Sequence, residues 1–187
     1  MAIVVVGGSS RGVGKTALVC GLIAALPEFR WIAVNITSHE HGNPRPLWEE
    51  SNAGQGTDTS RYLAAGAGRA LLLTAQPDEL GPVVCPWLQS LREQEPLAHV
   101  IFESNRVVEC VQPDLCLVVA ENSRQDCKPS FSIVERQKHA TVAQARQDSV
   151  IAGAKPVFQL AAFEHISPEM LAWLREQMQA AAKMTTD

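Results

Sequence analysis

A glycine-rich segment near the start of the chain constrains the fold more than any other feature. It spans residues 7–16 and has the sequence Gly-Gly-Ser-Ser-Arg-Gly-Val-Gly-Lys-Thr. The apolar run 2–6 before it is typical of a buried strand, and apolar residues within 17–26 recur at helical spacing. A strand, a glycine-rich turn and a helix are the context that a phosphate-binding loop requires. The sequence therefore predicts such a loop; the alternative is a glycine turn in which Gly-Lys-Thr occurs by chance.

The chemistry of a phosphate-binding loop comes from backbone amides and two side chains. The N–H groups of the turn and of the helix N-terminus converge on an anion, and the helix dipole adds partial positive charge there. Lys15 would reach the β- and γ-phosphates of a nucleoside triphosphate, and the Thr16 hydroxyl would bind Mg²⁺. The residues that we predict to bind the nucleotide are Gly8, Arg11, Gly12, Val13, Gly14, Lys15, Thr16 and Ala17.

The first half of the loop departs from the usual spacing. In the usual motif four residues separate a first glycine from the Gly-Lys-Ser/Thr group, and this chain has Ser9 at the position of that first glycine. Gly8 comes one residue earlier, so the loop is one residue longer than usual. Such a lengthened loop resembles that of the dethiobiotin synthetase and cobyrinate amidase group of P-loop proteins. Ser10 stands where the partition-type ATPases carry a second, signature lysine.

The composition fits a single globular domain. With 187 residues, of which 46% are hydrophobic and 19% charged, the chain can bury a substantial core, and we expect one nucleotide-binding domain over residues 1–187. Few aromatic residues and many Ala, Val and Leu residues favour buried parallel strands. We therefore predict a three-layer α/β fold, with a mostly parallel sheet and helices on both faces.

The charge and the cysteine content limit the classes of partner and the cellular compartments that we expect for this chain. The net charge is −4 and no long basic run occurs, so we expect no nucleic-acid partner. No apolar stretch approaches the roughly 20 residues of a membrane span, and the first residues lack the basic leader of a signal peptide. The five cysteines are scattered, without a Cys-x-x-Cys pair. These features favour the reducing cytoplasm.

A polar, turn-rich segment follows the predicted second strand, 29–36, and extends to about Gly56. Because the carboxyl ends of neighbouring parallel strands face the ligand crevice, the start of this segment would approach the phosphates. We expect Thr37, Ser38 or Glu40 to contact Mg²⁺ or the terminal phosphate, and Glu40 is the candidate metal ligand among them. His39 and His41 share a face only if the segment is extended, and no third ligand is specified, so solvated loop histidines remain the alternative to a second metal site.

A short helix is predicted after this polar segment. Thr57 or Asp58 can cap its N-terminus, Gly66 ends it, and residues 68–75 form the next strand. We include Asp58 among the catalytic candidates, because a water polarised near Glu40 or Asp58 would attack the γ-phosphate in line.

An acidic residue stands at the end of the predicted strand 97–102. Glu103 has the hard oxygen ligands that Mg²⁺ prefers, at the position expected for the partner of a metal-bound water beside a P-loop. Ser104 or Asn105 can cap the helix predicted to run through Cys110. We predict catalytic roles for Lys15 and Glu103.

The other segments complete the α/β pattern. Prolines at 82 and 86 predict that the helix over 77–94 is broken into shorter pieces. Lys128 and Ser130 belong to a strand-end loop that could meet the nucleotide, although solvated side chains are the alternative. We further predict strands over 113–120, 148–152 and 156–160, a surface helix over 133–147 and a last helix from Ser167.

The order of these motifs resembles the molybdopterin-guanine dinucleotide biosynthesis adaptor protein B family. The lengthened loop, the strand-end Glu103 and the pair Pro113-Asp114 before a strand match that family, whereas Ser104-Asn105 replaces its usual glycine and aromatic residue. The most specific match outside the loop is an Asp-Ser/Thr-x-Arg…Ala-Gly-Ala pattern, carried here by Asp58, Thr59, Arg61, Ala65, Gly66 and Ala67.

The resemblance implies an adaptor or switch in molybdenum cofactor maturation. Such a protein would bind GTP with Mg²⁺, hydrolyse it slowly and partner a guanylyltransferase or another client protein, and it could form a homodimer. No Asn-Lys-x-Asp motif is present, so the choice between GTP and ATP stays open.

A biosynthetic ligase or kinase of the dethiobiotin synthetase type is the alternative. Such an enzyme would use ATP to activate a small carboxylated substrate, and it would need a substrate-binding lysine after the second strand. The sequence has Asn-Ile-Thr-Ser at positions 35–38 instead. The adaptor is therefore favoured.

Overall fold

The sheet at the centre of the molecule consists of eight strands in the part of the chain that the structure describes. The structure is a computed structural model, and it describes residues 1–38, 46–120, 129–144 and 155–184. The strands are β1 (Ile3–Gly8), β2 (Arg30–Thr37), β3 (Leu47–Glu49), β4 (Arg69–Thr74), β5 (Ala98–Glu103), β6 (Leu115–Val119), β7 (Ala140–Gln144) and β8 (Val157–Leu160). The helices are α1 (Lys15–Ala25), α2 (Asp58–Ala64), α3 (Leu80–Gln94), α4 (Phe131–Gln137) and α5 (Pro168–Met184), and a short 3-10 helix spans Val107–Glu109.

The strands follow the order β3-β4-β2-β5-β1-β6-β7-β8, and every pair is parallel except the antiparallel β3–β4 pair. Parallel sheets need helices on both faces to cover them. Alternate residues of β1 show this directly, since Val4 and Val6 pack with α1, α2 and α5, whereas Ile3 and Val5 pack with α3 and α4. The predicted three-layer fold is therefore confirmed.

The register of the central strands brings polar residues to one edge of the sheet. Glu103, the last residue of β5, pairs with Val6 of β1 on one side and with Asn35 of β2 on the other. The turn after β1 therefore lies beside the carboxyl ends of β2 and β5. This edge holds the predicted phosphate-binding loop.

Two predicted elements differ from the structure. Helix α3 is continuous from Leu80 to Gln94, with Pro86 inside it. Pro82 lies in its first turn, where no intrahelical donor is needed, and Val84, Leu88 and Leu91 anchor one face of the helix on the sheet.

The predicted surface helix over 133–147 is also wrong. Helix α4 ends at Gln137, and β7 follows, inserted between β6 and β8. The polar appearance of the segment concealed a buried strand, because Ala140, Thr141 and Val142 lie within the sheet. The predicted strand over 148–152 lies outside the described residues. No helix in the described part of the chain is long and apolar enough to cross a membrane.

Candidate phosphate-binding site

The loop between β1 and α1 has the backbone conformation that its glycines permit. Gly12 and Gly14 have φ angles of 76° and 106°, in the left-handed region that glycine adopts without strain. Gly14 is the N-cap of α1 and has no side chain with which to cap the helix. The first N–H groups of a helix lack intrahelical partners, so a helix N-terminus can bind an anion.

Gly8 is where the lengthened loop folds back on itself. A Cβ at this position would lie 2.6 Å from Val13 Cγ1 and 2.9 Å from Lys15 Cγ. The stem of Lys15 therefore lies directly against Gly8, and its Nζ donates to the Ser10 carbonyl at 3.2 Å. The close approach requires glycine at position 8, one residue earlier than in the usual spacing. Val13 is buried, so only its backbone can face a ligand.

Glu103 lies beneath the end of the loop and is 8% exposed. Its Oε2 accepts a hydrogen bond of 2.8 Å from the Thr16 hydroxyl and one of 2.5 Å from the Tyr62 hydroxyl. Burial raises the pKa of Glu103, while the two hydroxyls and the nearby charge of Lys15 act in the opposite direction. Glu103 is thus a desolvated carboxylate whose surroundings favour a cation.

Tyr62 is a functional candidate that the sequence analysis missed. It is fully buried on α2, and burial together with Glu103 holds the pKa of its hydroxyl well above the ordinary value, so the hydroxyl remains a donor. Helix α2 is fixed at its start by Thr57, whose hydroxyl accepts from the Ser60 N–H at 3.1 Å. One signal was present in the sequence, since this is the single tyrosine of the chain and it stands four residues after Asp58, on the same helical face.

Asp58 lies in the same neighbourhood. The side-chain amide of Asn35 donates to Asp58 Oδ2 at 3.0 Å, and Arg61 lies 3.9 Å from Asp58 Oδ1. The charge of Asp58 contributes to the raised pKa of Glu103. The structure therefore brings the predicted residues Lys15, Thr16, Asp58 and Glu103 to one edge of the sheet, together with Asn35 and Tyr62.

Other predicted residues are placed differently or not described. The Arg11 side chain is exposed at the tip of the loop. Glu40, His39, His41 and Lys128 lie outside the described residues. Ser130 is described, and it lies within 3.3 Å of the Asn105 amide.

Asn105 holds the first half of the loop in place. Its Oδ1 accepts from the Gly8 N–H at 2.8 Å, and its Nδ2 donates to the Gly8 carbonyl at 2.9 Å. The chain leaves the sheet after Glu103 because Ser104 Oγ caps the 3-10 helix, accepting from the N–H groups of Arg106 and Val107. The side-chain amide of Asn105 therefore binds the Gly8 backbone as a further residue of β5 would, and it continues the pairing of β1 beyond the end of β5.

A second contact supports the other end of the loop. A Cβ at Gly14 would lie 2.2 Å from a ring carbon of Phe163, and one at Gly21 would lie 2.5 Å from the Phe163 carbonyl oxygen. Two turns of α1 are thus in close contact with the segment after β8. Phe163 is another residue that the sequence analysis did not identify.

The donor set fits Mg²⁺ in the form expected beside a bound polyphosphate. Mg²⁺ prefers hard oxygen ligands and retains several waters, so few protein ligands are needed. The Thr16 hydroxyl and the Glu103 carboxylate lie 2.8 Å apart at the base of the loop. Within the described ranges, no group of three or more His, Cys, Asp or Glu residues could form a metal cage of their own.

These features define a class of protein. A mostly parallel sheet with a glycine-rich loop, Lys15 and Thr16 between its first strand and first helix is the P-loop nucleoside triphosphate hydrolase fold. No protein-family profile matches the chain, and neither does any curated protein.

Two solved structures with this fold resemble the chain. The first is a MobB protein homolog from Bacillus stearothermophilus, with a TM-score of 0.51 and 19% identity over 96% of this chain and 99% of that one. The second is LpxK from Aquifex aeolicus, solved in complex with ATP, with a TM-score of 0.57 and 16% identity over 85% of this chain and 53% of that one, about half its length. The likeness confirms a MobB-like P-loop fold, as the motifs predicted.

Proposed function

We propose that the protein binds a nucleoside triphosphate, GTP or ATP, together with Mg²⁺ and hydrolyses it slowly. The observation that carries this proposal is the 2.8 Å contact between the Thr16 hydroxyl and Glu103, directly behind the loop that presents Lys15. A hydroxyl on the first turn of α1 and a buried carboxylate at the end of β5 are positioned for the metal that accompanies the phosphates. The fold of the two similar structures supports the same class.

The chain's own residues would act mainly by positioning and charge. The loop amides and Lys15 would offset the charge of the β- and γ-phosphates. Thr16 and Glu103 would hold Mg²⁺, which supplies further neutralisation of phosphate charge, and Tyr62 would keep the Glu103 carboxylate in a fixed orientation. Asp58, fixed by Asn35, would orient the attacking water.

Slow turnover is expected because positioning and charge, and not a strong general base, would carry the reaction. An efficient general base has a pKa near the working pH. Asp58 is half-buried and contacts Asn35 and Arg61, so its proposed part is to orient the attacking water and not to act as a strong base. We infer that the nucleotide state matters more than the amount hydrolysed, as in a switch.

The client would be a protein of molybdenum cofactor maturation, such as the guanylyltransferase, or of a related pathway. This assignment rests on the motif resemblance together with the MobB-like fold. The proposal includes a location in the cytoplasm and a single domain over the whole chain. Limited proteolysis tests the single domain. A homodimer is compatible with the proposal, and sedimentation would decide it.

Calorimetric titration with ATP and GTP, with and without Mg²⁺, tests the binding proposal. Lys15→Ala should weaken binding about 10–100-fold, because a charge-assisted hydrogen bond contributes roughly 1.5–3 kcal/mol. Lys138→Ala is the matched control, since Lys138 pairs with Glu135 just before β7 starts, at the opposite edge of the sheet. Negligible binding of both nucleotides to the unaltered protein would reject the proposal.

The same preparation distinguishes the adaptor from the ligase or kinase. Phosphate release that requires an added small carboxylic acid would favour the ligase. Basal release that rises when a client protein is added, and does not respond to carboxylic acids, would favour the adaptor. No lysine occurs between residues 31 and 45, where the ligase would need one.

A further inference from the structure

Two cysteines meet on the face of the sheet covered by α3. Cys85 is exposed on α3, and Cys110 is half-buried immediately after the 3-10 helix. Cys85 Sγ donates to the Cys110 carbonyl oxygen at 3.5 Å, and Cys110 Sγ donates to the Val107 carbonyl oxygen at 3.4 Å. The two cysteines are 25 residues apart in sequence, so the pairing results from tertiary packing.

The packing of α3 explains why Cys85 lies beside Cys110. A Cβ placed on Gly81, one turn before Cys85, would lie 3.5 Å from Cys110 Cβ. Helical side chains point back toward the N-terminus and cover the preceding turn. The Cys85 side chain therefore extends over Gly81 toward Cys110. The close approach is built into the backbones of both elements.

The two thiols differ in reactivity. Cys85 is exposed and can meet a reagent from solution. Burial raises the pKa of the Cys110 thiol to about 11, and the neighbouring Cys85 and Glu109 act in the same direction. Because the thiolate is the nucleophile, Cys85 is the sulfur that reacts first and Cys110 the one that resolves.

We propose that Cys85 and Cys110 form a reversible dithiol–disulfide site whose oxidant is a low-molecular-weight disulfide of the glutathione type. The Cys85 thiolate attacks one sulfur of the small disulfide and releases one small thiolate. Cys110 loses its proton to solvent and attacks Cys85 Sγ in the mixed disulfide, which releases the second small thiolate. The protein gives up two electrons and two protons, and the small disulfide becomes two thiols. The inference is independent of nucleotide binding.

The position of the site gives the bond a structural consequence. The segment that ends at Cys110 begins with Ser104, which caps the 3-10 helix, and Asn105, which holds Gly8. A disulfide would tie this segment to α3. Oxidation should therefore slow the opening of the segment that supports the phosphate-binding loop.

Equilibration of the full-length protein in glutathione buffers of graded oxidised-to-reduced ratio tests the proposal. The Cys116→Ala variant is the starting material, because Cys110 and Cys116 share the tryptic peptide 107–124, while Cys85 is in peptide 70–92. We expect the intact mass to fall by two hydrogen atoms, the two peptides to be cross-linked, and dithiothreitol to restore both thiols. Cys20→Ser, on the other face of the sheet, is the matched control and should cross-link to the same extent.

Three results would overturn the proposal. Both thiols could remain open to alkylation at every ratio, or Cys85 could accumulate as a stable glutathione adduct while Cys110 stays alkylatable. A cross-link from either cysteine to Cys127 in place of the expected pair would also contradict it. Cys110→Ser should convert the cross-link into the glutathione adduct on Cys85, and it keeps the side-chain volume nearly unchanged. Failure of that conversion would show that Cys110 does not resolve the bond.

Discussion

Replacement of Asn105 by alanine tests how the phosphate-binding loop is held. The Asn105 amide exchanges hydrogen bonds of 2.8 and 2.9 Å with the N–H and carbonyl groups of Gly8, which is buried. Each bond contributes roughly 0.5–1.5 kcal/mol, and a buried polar group left without a partner costs about 1–3 kcal/mol. We therefore expect Asn105→Ala to lower the free energy of unfolding by about 2–4 kcal/mol.

Urea unfolding followed by tryptophan fluorescence measures this loss, and the chain has four tryptophans. With a slope of about 2 kcal/mol/M, the midpoint should fall by roughly 1–2 M without a change in slope. Asn52→Ala is the matched control. Asn52 also accepts from a glycine N–H, that of Gly54 at 2.8 Å, but the pair is exposed, so its removal should change stability by less than about 0.5 kcal/mol.

Asn105→Asp removes only the hydrogen bond that Asn105 Nδ2 donates to the Gly8 carbonyl. A carboxylate can still accept from the Gly8 N–H, but it places an acceptor against the Gly8 carbonyl. The expected result is therefore a destabilisation comparable to that of the alanine variant. If both Asn105 variants unfold within about 0.5 kcal/mol of the unaltered protein, the account of Gly8 is wrong.

Three further predictions follow from the site and the core. Gly14→Ala should lower both stability and nucleotide affinity, because the φ angle of 106° strains alanine and its Cβ would lie 2.2 Å from a carbon of the Phe163 ring. Urea unfolding and calorimetry measure the two effects. Adding Phe163→Ala to the Gly14→Ala variant should recover part of the stability. Glu103→Gln should weaken binding about 10-fold in the presence of Mg²⁺ and little in its absence, a difference that calorimetry detects. Burial lowers the pKa of His99 and of His139 below the ordinary value of about 6.5, so the unfolded chain binds protons at a higher pH than the folded protein does. The free energy of unfolding should therefore fall as the pH drops through that value, and it should fall less steeply after His99→Gln. A difference in stability between this variant and the unaltered protein that does not change with pH would contradict the prediction.

The local part of the site could be predicted from the sequence. The loop lies between a buried strand and a helix, and each signal for it is contained within a few residues. The same holds for the helix capped by Thr57 and for Glu103 at the end of a continuous apolar run. Neighbouring residues determine these features, so no knowledge of the tertiary structure was needed.

The contacts that complete the site join distant parts of the chain. Tyr62 and Glu103 are 41 residues apart, and Gly8 and Asn105 are 97 residues apart. The first contact depends on how α2 packs, and the second depends on the register of β1 with β5. The departure from the family pattern at Ser104-Asn105 did mark the position, but only the structure shows that Asn105 holds the loop.

The errors in secondary structure have physical reasons too. Pro86 costs α3 one hydrogen bond. Leu88 and Leu91, which follow Pro86 in the helix, are buried, and their burial outweighs that cost. Strand β7 is only five residues long, so its pattern was too short to separate from the preceding helix. In both cases the secondary structure depends on tertiary packing, and local propensity alone does not determine it.

The central claim is that the backbone amides of the loop and Lys15 bind a polyphosphate. A crystal structure with Mg²⁺ and a non-hydrolysable triphosphate analogue, at a concentration that calorimetry shows to be saturating, tests it most directly. We predict the β-phosphate within hydrogen-bonding distance of the amides of residues 12–16, with Lys15 Nζ moved from the Ser10 carbonyl onto the phosphates. An analogue bound elsewhere, with the loop empty and Lys15 still on Ser10, would contradict the account.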